Sequence, residues 1–144
     1  MAGKNKKAAL ILTGLAIIGA VYMGIFFPWR PIIIKHKLIL VELARTPAQR
    51  EKGLKGRRHL RRDQGMLFIF KKEKYLEFWM KETLIALSIA YVDKQKTIID
   101  IQKMKSLQTD VLYPSAKKSK YALEMNLGWF EKNGIRVGDK LLFW

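Results

Sequence analysis

Two groups of residues in this chain carry side chains suited to chemistry. The first is a run of positive charge made by Arg45, Arg50, Lys52, Lys55, Arg57, Arg58, Arg61 and Arg62, with Glu51 as the one acid among them. Guanidinium forks pair phosphates and carboxylates bidentately, so the run is suited to gripping an anionic partner. The plainer alternative is a solvated basic loop. The second group is Trp79, Lys81, Glu82 and Thr83. On an extended chain Trp79 and Lys81 share one face while Phe78 and Met80 share the other. An aromatic platform beside a cation suits a sugar or a carboxylated metabolite. The competing reading makes Trp79 a core residue and pairs Lys81 with Glu82 or Glu124.

Catalysis has less support. Glu82, Glu124, Asp100 and Asp139 could supply the carboxylate pair that glycoside hydrolysis needs. Asp139, however, follows Gly138 and fits a turn, and nothing in the spacing brings Glu82 to Glu124. Ser88 and Ser115 lack a nucleophile elbow, and no Gly-rich phosphate loop is present. The chain has no cysteine, which excludes disulfides, thiol catalysis and thiolate metal sites. Its two histidines, His36 and His59, sit in basic surroundings that disfavour metal binding. No metal and no cofactor is expected.

The net charge of +16 over 144 residues attracts polyanions. Lys4, Lys6, Lys7 and Arg30 are the basic residues of the first thirty, which hold no acid. The remaining 24 basic residues face all 12 acids. Nucleic acid is the less favoured partner, because no stacking aromatics interleave with Arg45–Arg62. A lipid surface is nearer at hand. Ala8–Phe27 is uncharged and twenty residues long, enough to cross the ~30 Å hydrocarbon core at ~1.5 Å per residue. Trp29 and Arg30 suit the interface, and Pro28 and Pro31 suit a helix end. The expected organisation is a basic cytoplasmic tail (1–7), a single-pass anchor (8–29), a juxtamembrane linker (30–37) and a β-rich domain (38–144). The positive-inside rule does not decide orientation, since cations flank the run on both sides. A very short basic tail before a long apolar run favours export of the domain.

The elements that must position these residues are mostly strands. Leu38–Leu43, Met66–Phe70, Thr97–Met104, Tyr121–Met125 and Lys140–Trp144 read as strands, and Glu77–Tyr91 as extended chain with a bend. Thr46-Pro47-Ala48-Gln49 is a helix start, with Thr46 as N-cap and Gln49 reaching back, and Gly53 and Gly56 end that helix early. Gly128–Gly134 reads as one helical turn. The expected fold is mainly β: a small sandwich or a partly closed barrel with one or two short helices, preceded by one transmembrane helix.

Five stretches in order carry a resemblance: Gly53-Leu54-Lys55-Gly56-Arg57, Gly65-Met66-Leu67-Phe68-Ile69-Phe70, Phe78-Trp79-Met80-Lys81, Tyr121-Ala122-Leu123-Glu124 and Gly134-Ile135-Arg136-Val137-Gly138-Asp139. Together, from about Leu38 to Phe143, the chain resembles the family of domains of unknown function numbered 192. The resemblance implies a small β-sandwich-like domain, often behind a signal or anchor in bacterial members, and brings no activity with it. The chain departs from the family pattern at two polar positions. Glu82 stands where the family has Asn, and Ala86-Leu87-Ser88 replaces Pro-Leu-Asp. Such losses would weaken an ancestral ligand site and leave the scaffold free for another purpose.

The reading that follows is a non-enzymatic accessory protein of a bacterial inner membrane, its domain on the periplasmic side. Its basic β-domain would dock on an anionic protein partner or on lipid head groups, as a subunit of a membrane complex. The alternatives are a binding module for glycans or acidic metabolites, and a hydrolase of cell-envelope glycan.

Overall fold

The structure, a computed structural model, describes residues 28–144. Its elements are β1 (Trp29–Ile34), β2 (Lys37–Ala44), helix α1 (Pro47–Lys52), β3 (Gln64–Lys74), β4 (Glu77–Phe78), β5 (Leu87–Val92), β6 (Ile98–Met104), β7 (Tyr113–Pro114), β8 (Ser119–Asn126), helix α2 (Trp129–Lys132) and β9 (Leu141–Leu142). Seven strands form one sheet in the order β6-β5-β8-β3-β2-β1-β9. Only β2 and β3 run parallel, and α1 lies in the crossover between them. β4 and β7 pair separately as a two-residue ribbon.

The sheet curls until its edges nearly meet. Thr97, just before β6, bridges to Lys140, just before β9. Three further backbone bonds cross the seam: Ile98 N–H to the Asp139 carbonyl at 2.9 Å, Gly138 N–H to the Ile98 carbonyl at 2.8 Å, and Leu141 N–H to the Lys96 carbonyl at 2.9 Å. Of the two expected architectures, the fold is the partly closed barrel.

Alternation along the strands divides the apolar residues into two cores. Leu67, Val92, Leu123 and Met125 face the barrel interior with Ile32, Ile34, Ile39 and Val41, and α2 adds Trp129 and Phe130. Met66, Phe68, Leu87, Ile89, Tyr91 and Ala122 face outward into a second core. That outer core also holds Leu54 from the turn after α1, Leu76 and Met80 flanking β4, and Tyr113 of β7. β5 is covered on both faces, and all six of its residues are buried, as a central strand between two packed layers must be.

Two expectations change. Residues 30–37, expected as a linker, form β1 and the turn into β2. β1 pairs along its whole length with β2, from Trp29 opposite Glu42 to Ile34 opposite Lys37. Alternate apolar residues Ile32 and Ile34 supply the reason, since both are buried in the inner core. Trp29 is half-buried and packs on the outer core, with the Arg57 guanidinium 6.0 Å from its ring centre. The extended chain expected over Glu77–Tyr91 breaks into β4, a turn through Trp79–Ala86, and β5. The tail and the expected anchor helix, apart from Pro28 and Trp29, lie outside the described residues. Among the described residues no helix is long and apolar enough to cross a membrane.

Candidate functional site

A cleft of about 550 Å³ opens on the outer face of the sheet, where the covering elements leave a gap. One wall is α1 with the turn that follows it. The Thr46 hydroxyl accepts the Gln49 N–H at 3.2 Å, and the Gln49 side chain accepts the Thr46 N–H at 3.0 Å. Pro47 fills the first helical position, where no N–H is needed. Gly53 ends the helix at φ 48°, a left-handed value that glycine adopts without strain. The reversal sends Leu54 into the outer core and Lys55 to the cleft.

The opposite wall is the turn after β4. Thr83 N–H bonds the Met80 carbonyl at 3.1 Å, Gly56 N–H the Glu82 carbonyl at 2.9 Å, and Leu107 N–H the Thr83 carbonyl at 2.9 Å. The turn is thus tied to both its neighbours. It leaves Met80 and Thr83 buried and Trp79 44% exposed, so Trp79 is not a core residue. The expected sidedness holds: Phe78 and Met80 point inward while Trp79 and Lys81 point out. Beneath, Phe68 and Phe78 meet edge to face at 4.9 Å between ring centres.

Glu124 lies at the floor. Its register partners are Met66 on β3 and Ile89 on β5, which place it mid-sheet on the outward face. Its residue is 4% exposed, its carboxyl makes no hydrogen bond or ion pair among the described residues, and its oxygens are not sealed off, since no fully buried side-chain oxygen among those residues lacks a partner. It lines the cleft beside Phe68, Phe78, Trp79 and Thr83. Burial pushes its pKa up to about 8, because the charged form loses its hydration. At neutral pH it is a carboxylic acid with an O–H to donate. Close by, Tyr91 is also raised, chiefly by burial, and its hydroxyl donates to the Tyr113 carbonyl at 2.5 Å, holding β7 in place.

Two cations that line the cleft, Lys55 and Arg50, already have partners. Lys55 Nζ lies 3.0 Å from Glu51 and 3.5 Å from Glu82, and its pKa is raised, first by the hydrogen bond to Glu51. It also sits 5.5 Å from the Trp79 ring centre, and Lys81 Nζ sits 5.9 Å from the same ring. Two ammonium groups therefore lie within 6 Å of one indole. The Arg50 guanidinium stacks 4.8 Å from Phe70 and donates to the Ile69 carbonyl at 3.1 Å and to the Arg45 carbonyl.

Five of the residues expected from sequence share this cleft: Arg50, Lys52, Lys55, Trp79 and Thr83. Lys81 and Glu82 reach it indirectly, through Trp79 and Lys55. The eight basic residues do not form one surface. Arg45 follows the end of β2, whereas Arg61 and Arg62 precede the start of β3, at the other end of the parallel pair. Arg57 pairs with both Glu42 oxygens at 2.5 Å. Arg58, Arg61 and Arg62 are exposed. Nor does a missing aromatic in Arg45–Arg62 mean missing aromatic contacts, because Phe70, Trp79 and Trp29 arrive from other elements.

The family's polar positions have structural explanations. Glu82 adopts φ 60°, a left-handed conformation that Asn tolerates better than most residues. Ser88 is buried, and its hydroxyl accepts the Gly128 N–H at 2.9 Å, fixing the entry to α2. Neither change removes a group from the cleft lining. Gly65, in the second family stretch, faces Met125 across the β3–β8 pair. A Cβ there would meet the Glu124 carbonyl oxygen and the Met125 sulfur at 2.4 Å.

The profile of DUF192, described as an uncharacterized ACR, matches residues 32–143. The chain belongs to the DUF192 family. A crystal structure from Sinorhizobium meliloti 1021, described as a candidate transcription regulator, is 30% identical with a TM-score of 0.74, covering 79% of this chain and 92% of that one. A protein of unknown function from Novosphingobium aromaticivorans DSM 12444 is 29% identical with a TM-score of 0.76, covering 80% and 85%. No curated protein matches the chain. The match begins at Ile32, inside β1, so the strand that had been expected as a linker belongs to this DUF192 domain.

Proposed function

We propose that this DUF192 member is a non-enzymatic binding module, held at a membrane by its N-terminal apolar run, whose outer cleft takes a small hydroxyl-rich ligand of the glycan class. The observation that carries the reading is Glu124, an acid 4% exposed that opens on a cleft without a hydrogen-bond partner. Its carboxyl reaches the cleft and no protein group meets it there, so a ligand hydroxyl can accept a hydrogen bond from its O–H. Trp79 supplies the apolar face on which a sugar ring stacks. Lys81, 5.9 Å from the Trp79 ring centre and in no ion pair among the described residues, favours a sugar that carries a carboxylate. Saturation-transfer NMR on the full chain in mild detergent, with a panel of neutral sugars and uronic acids, tests this. We expect signals from the acidic members, lost in Trp79→Ala. Silence across the whole panel would retire the glycan reading.

A second reading keeps the basic surface as a docking site for an anionic protein partner. It is favoured by Arg58, Arg61 and Arg62, exposed and without ion pairs among the described residues. Reversing these three to Glu should leave the fold intact, since exposed charges contribute little individually. A stoichiometric companion that co-purifies with wild type and not with the variant would support this reading.

A further inference from the structure

The cleft and Arg45–Arg62 do not account for a second concentration of positive charge on the domain. β3 runs on past its neighbours: its regular pairing with β8 ends at Ile69 opposite Tyr121, then resumes with Lys74 opposite Ser119. The two chains stay joined beyond that point, with Leu76 N–H on the Ser115 hydroxyl at 2.9 Å and Ser115 N–H on the Leu76 carbonyl at 2.8 Å. This end of the pair, a tip of the sheet, carries Lys71, Lys72 and Lys74 on one strand and Lys117, Lys118 and Lys120 on the other. All are exposed except Lys120, which is half-buried. Glu73 is the one acid in the two segments, and it is engaged by Lys94, whose N–H it accepts at 2.9 Å and whose Nζ lies at 3.7 Å. Beside the lysines stands Tyr75, 65% exposed.

The position of this tip follows from topology. β1 runs antiparallel to β2, and β2 runs parallel to β3. The start of β1 therefore lies at the end of the sheet toward which β3 projects. One residue, Pro28, separates that start from the uncharged stretch Ala8–Phe27. A chain that enters a bilayer there brings the lysine tip to the lipid surface.

We infer that the tip formed by Lys71–Tyr75 and Ala116–Lys120 is a contact surface for anionic lipid head groups, setting the domain's orientation on the bilayer. The chemistry suits lipid better than a folded acidic partner. Lysines are compact charges on flexible stems, which follow a diffuse anionic layer, whereas a fixed carboxylate constellation is matched by the planar forks of arginine. An exposed tyrosine among cations has the composition of a membrane interface. The inference rests on the membrane part of the proposed function and not on the ligand.

The absence of cysteine makes the test direct. Full-length protein is reconstituted into phosphatidylcholine vesicles with or without phosphatidylglycerol. A single fluorescent label is placed at Ala116→Cys on the tip, or at His36→Cys in the exposed β1–β2 turn at the opposite end of the sheet. A quencher carried on lipid head groups reports contact. We expect several-fold stronger quenching at position 116 than at 36 in phosphatidylglycerol vesicles. That difference should vanish when Lys71, Lys72, Lys74, Lys117 and Lys118 are all changed to Gln, with the thermal melt unchanged. Equal quenching at both positions, or a difference that survives the five substitutions, overturns the inference. Alkaline extraction separates the two failures. A chain that is extracted refutes the anchor, while one that is retained with an unquenched tip refutes the tip contact alone.

Discussion

The two faces of the curled sheet are built differently, although the same strands supply both. The inner face buries Leu67, Val92, Leu123 and Met125 against β1, β9 and α2. The outer face is covered piecemeal by α1, the β4–β7 ribbon and the turn through Trp79. Three small covers leave a gap, and Glu124 lies beneath it, one residue along β8 from inward-facing Leu123. Adjacent positions on one strand thus serve opposite ends: Leu123 closes a core, and Glu124 opens on the cleft. In this family member the cleft arises where cover is incomplete, not where charge is densest.

The largest effect should come from the closed face. Leu123→Ala leaves a cavity between fully packed layers and should cost about 2–5 kcal/mol in denaturant unfolding. A cost below that of an exposed substitution would mean the inner face is as loosely covered as the outer.

Glu124→Gln sharpens the contrast through pH. The folded carboxyl titrates near 8, while an unfolded one titrates near its ordinary value. Below that ordinary value both states are protonated and the group contributes nothing. Between the two values only the unfolded chain ionises, so wild-type stability falls by up to roughly 1.4 kcal/mol per pH unit, and the loss is complete above pH 8. The Gln variant should lack this slope. Melts recorded from pH 5 to 9 would show the two proteins diverging as pH rises, wild type becoming the less stable; parallel curves would argue against burial of the acid.

Smaller effects belong to the rim. Trp79→Ala removes two cation–π contacts at an exposed site, worth about 0.5–1 kcal/mol each, so stability should drop modestly while sugar binding is lost. A large drop would make Trp79 a structural residue after all. Smallest is Glu82→Asn, which restores the residue type the family resemblance implies at a left-handed position. It should raise stability by about 0.5 kcal/mol in equilibrium unfolding, because left-handed backbone costs most side chains ~1–2 kcal/mol and Asn less.

What could be read beforehand depended on how local each signal was. The capping box of Thr46 and Gln49 and the stop at Gly53 involve neighbours in sequence, and all three stand as expected. The strands β2, β6 and β8 were legible from alternation and β3 from its compact apolar run Met66–Phe70, though β3 runs longer than that apolar part. β1 was hidden because Trp29–Ile34 continues the apolar run before it, so hydropathy has no boundary there. β7 is two residues long, too short for any period, and is held by the distant hydroxyl of Tyr91. For the site, Trp79 and Thr83 were found because aromatic and polar types cluster there. Glu124 is visible as a lone acid in Tyr121–Met125, and the sequence offers it two roles, a catalytic carboxylate or an ion-pair partner for Lys81. Its role depends on which face lies under incomplete cover, and three elements far apart in sequence decide that.

The most direct test of the outer cleft is the titration of the Glu124 side-chain carboxyl itself, followed by carbon NMR on protein labelled at glutamate and assigned with Glu124→Gln. We expect one resonance with a midpoint near 8 in the free protein, moving when an acidic sugar is added. A Glu124 midpoint in the ordinary carboxylate range, unmoved by any sugar, would contradict a buried and unpartnered acid at the floor of a binding site.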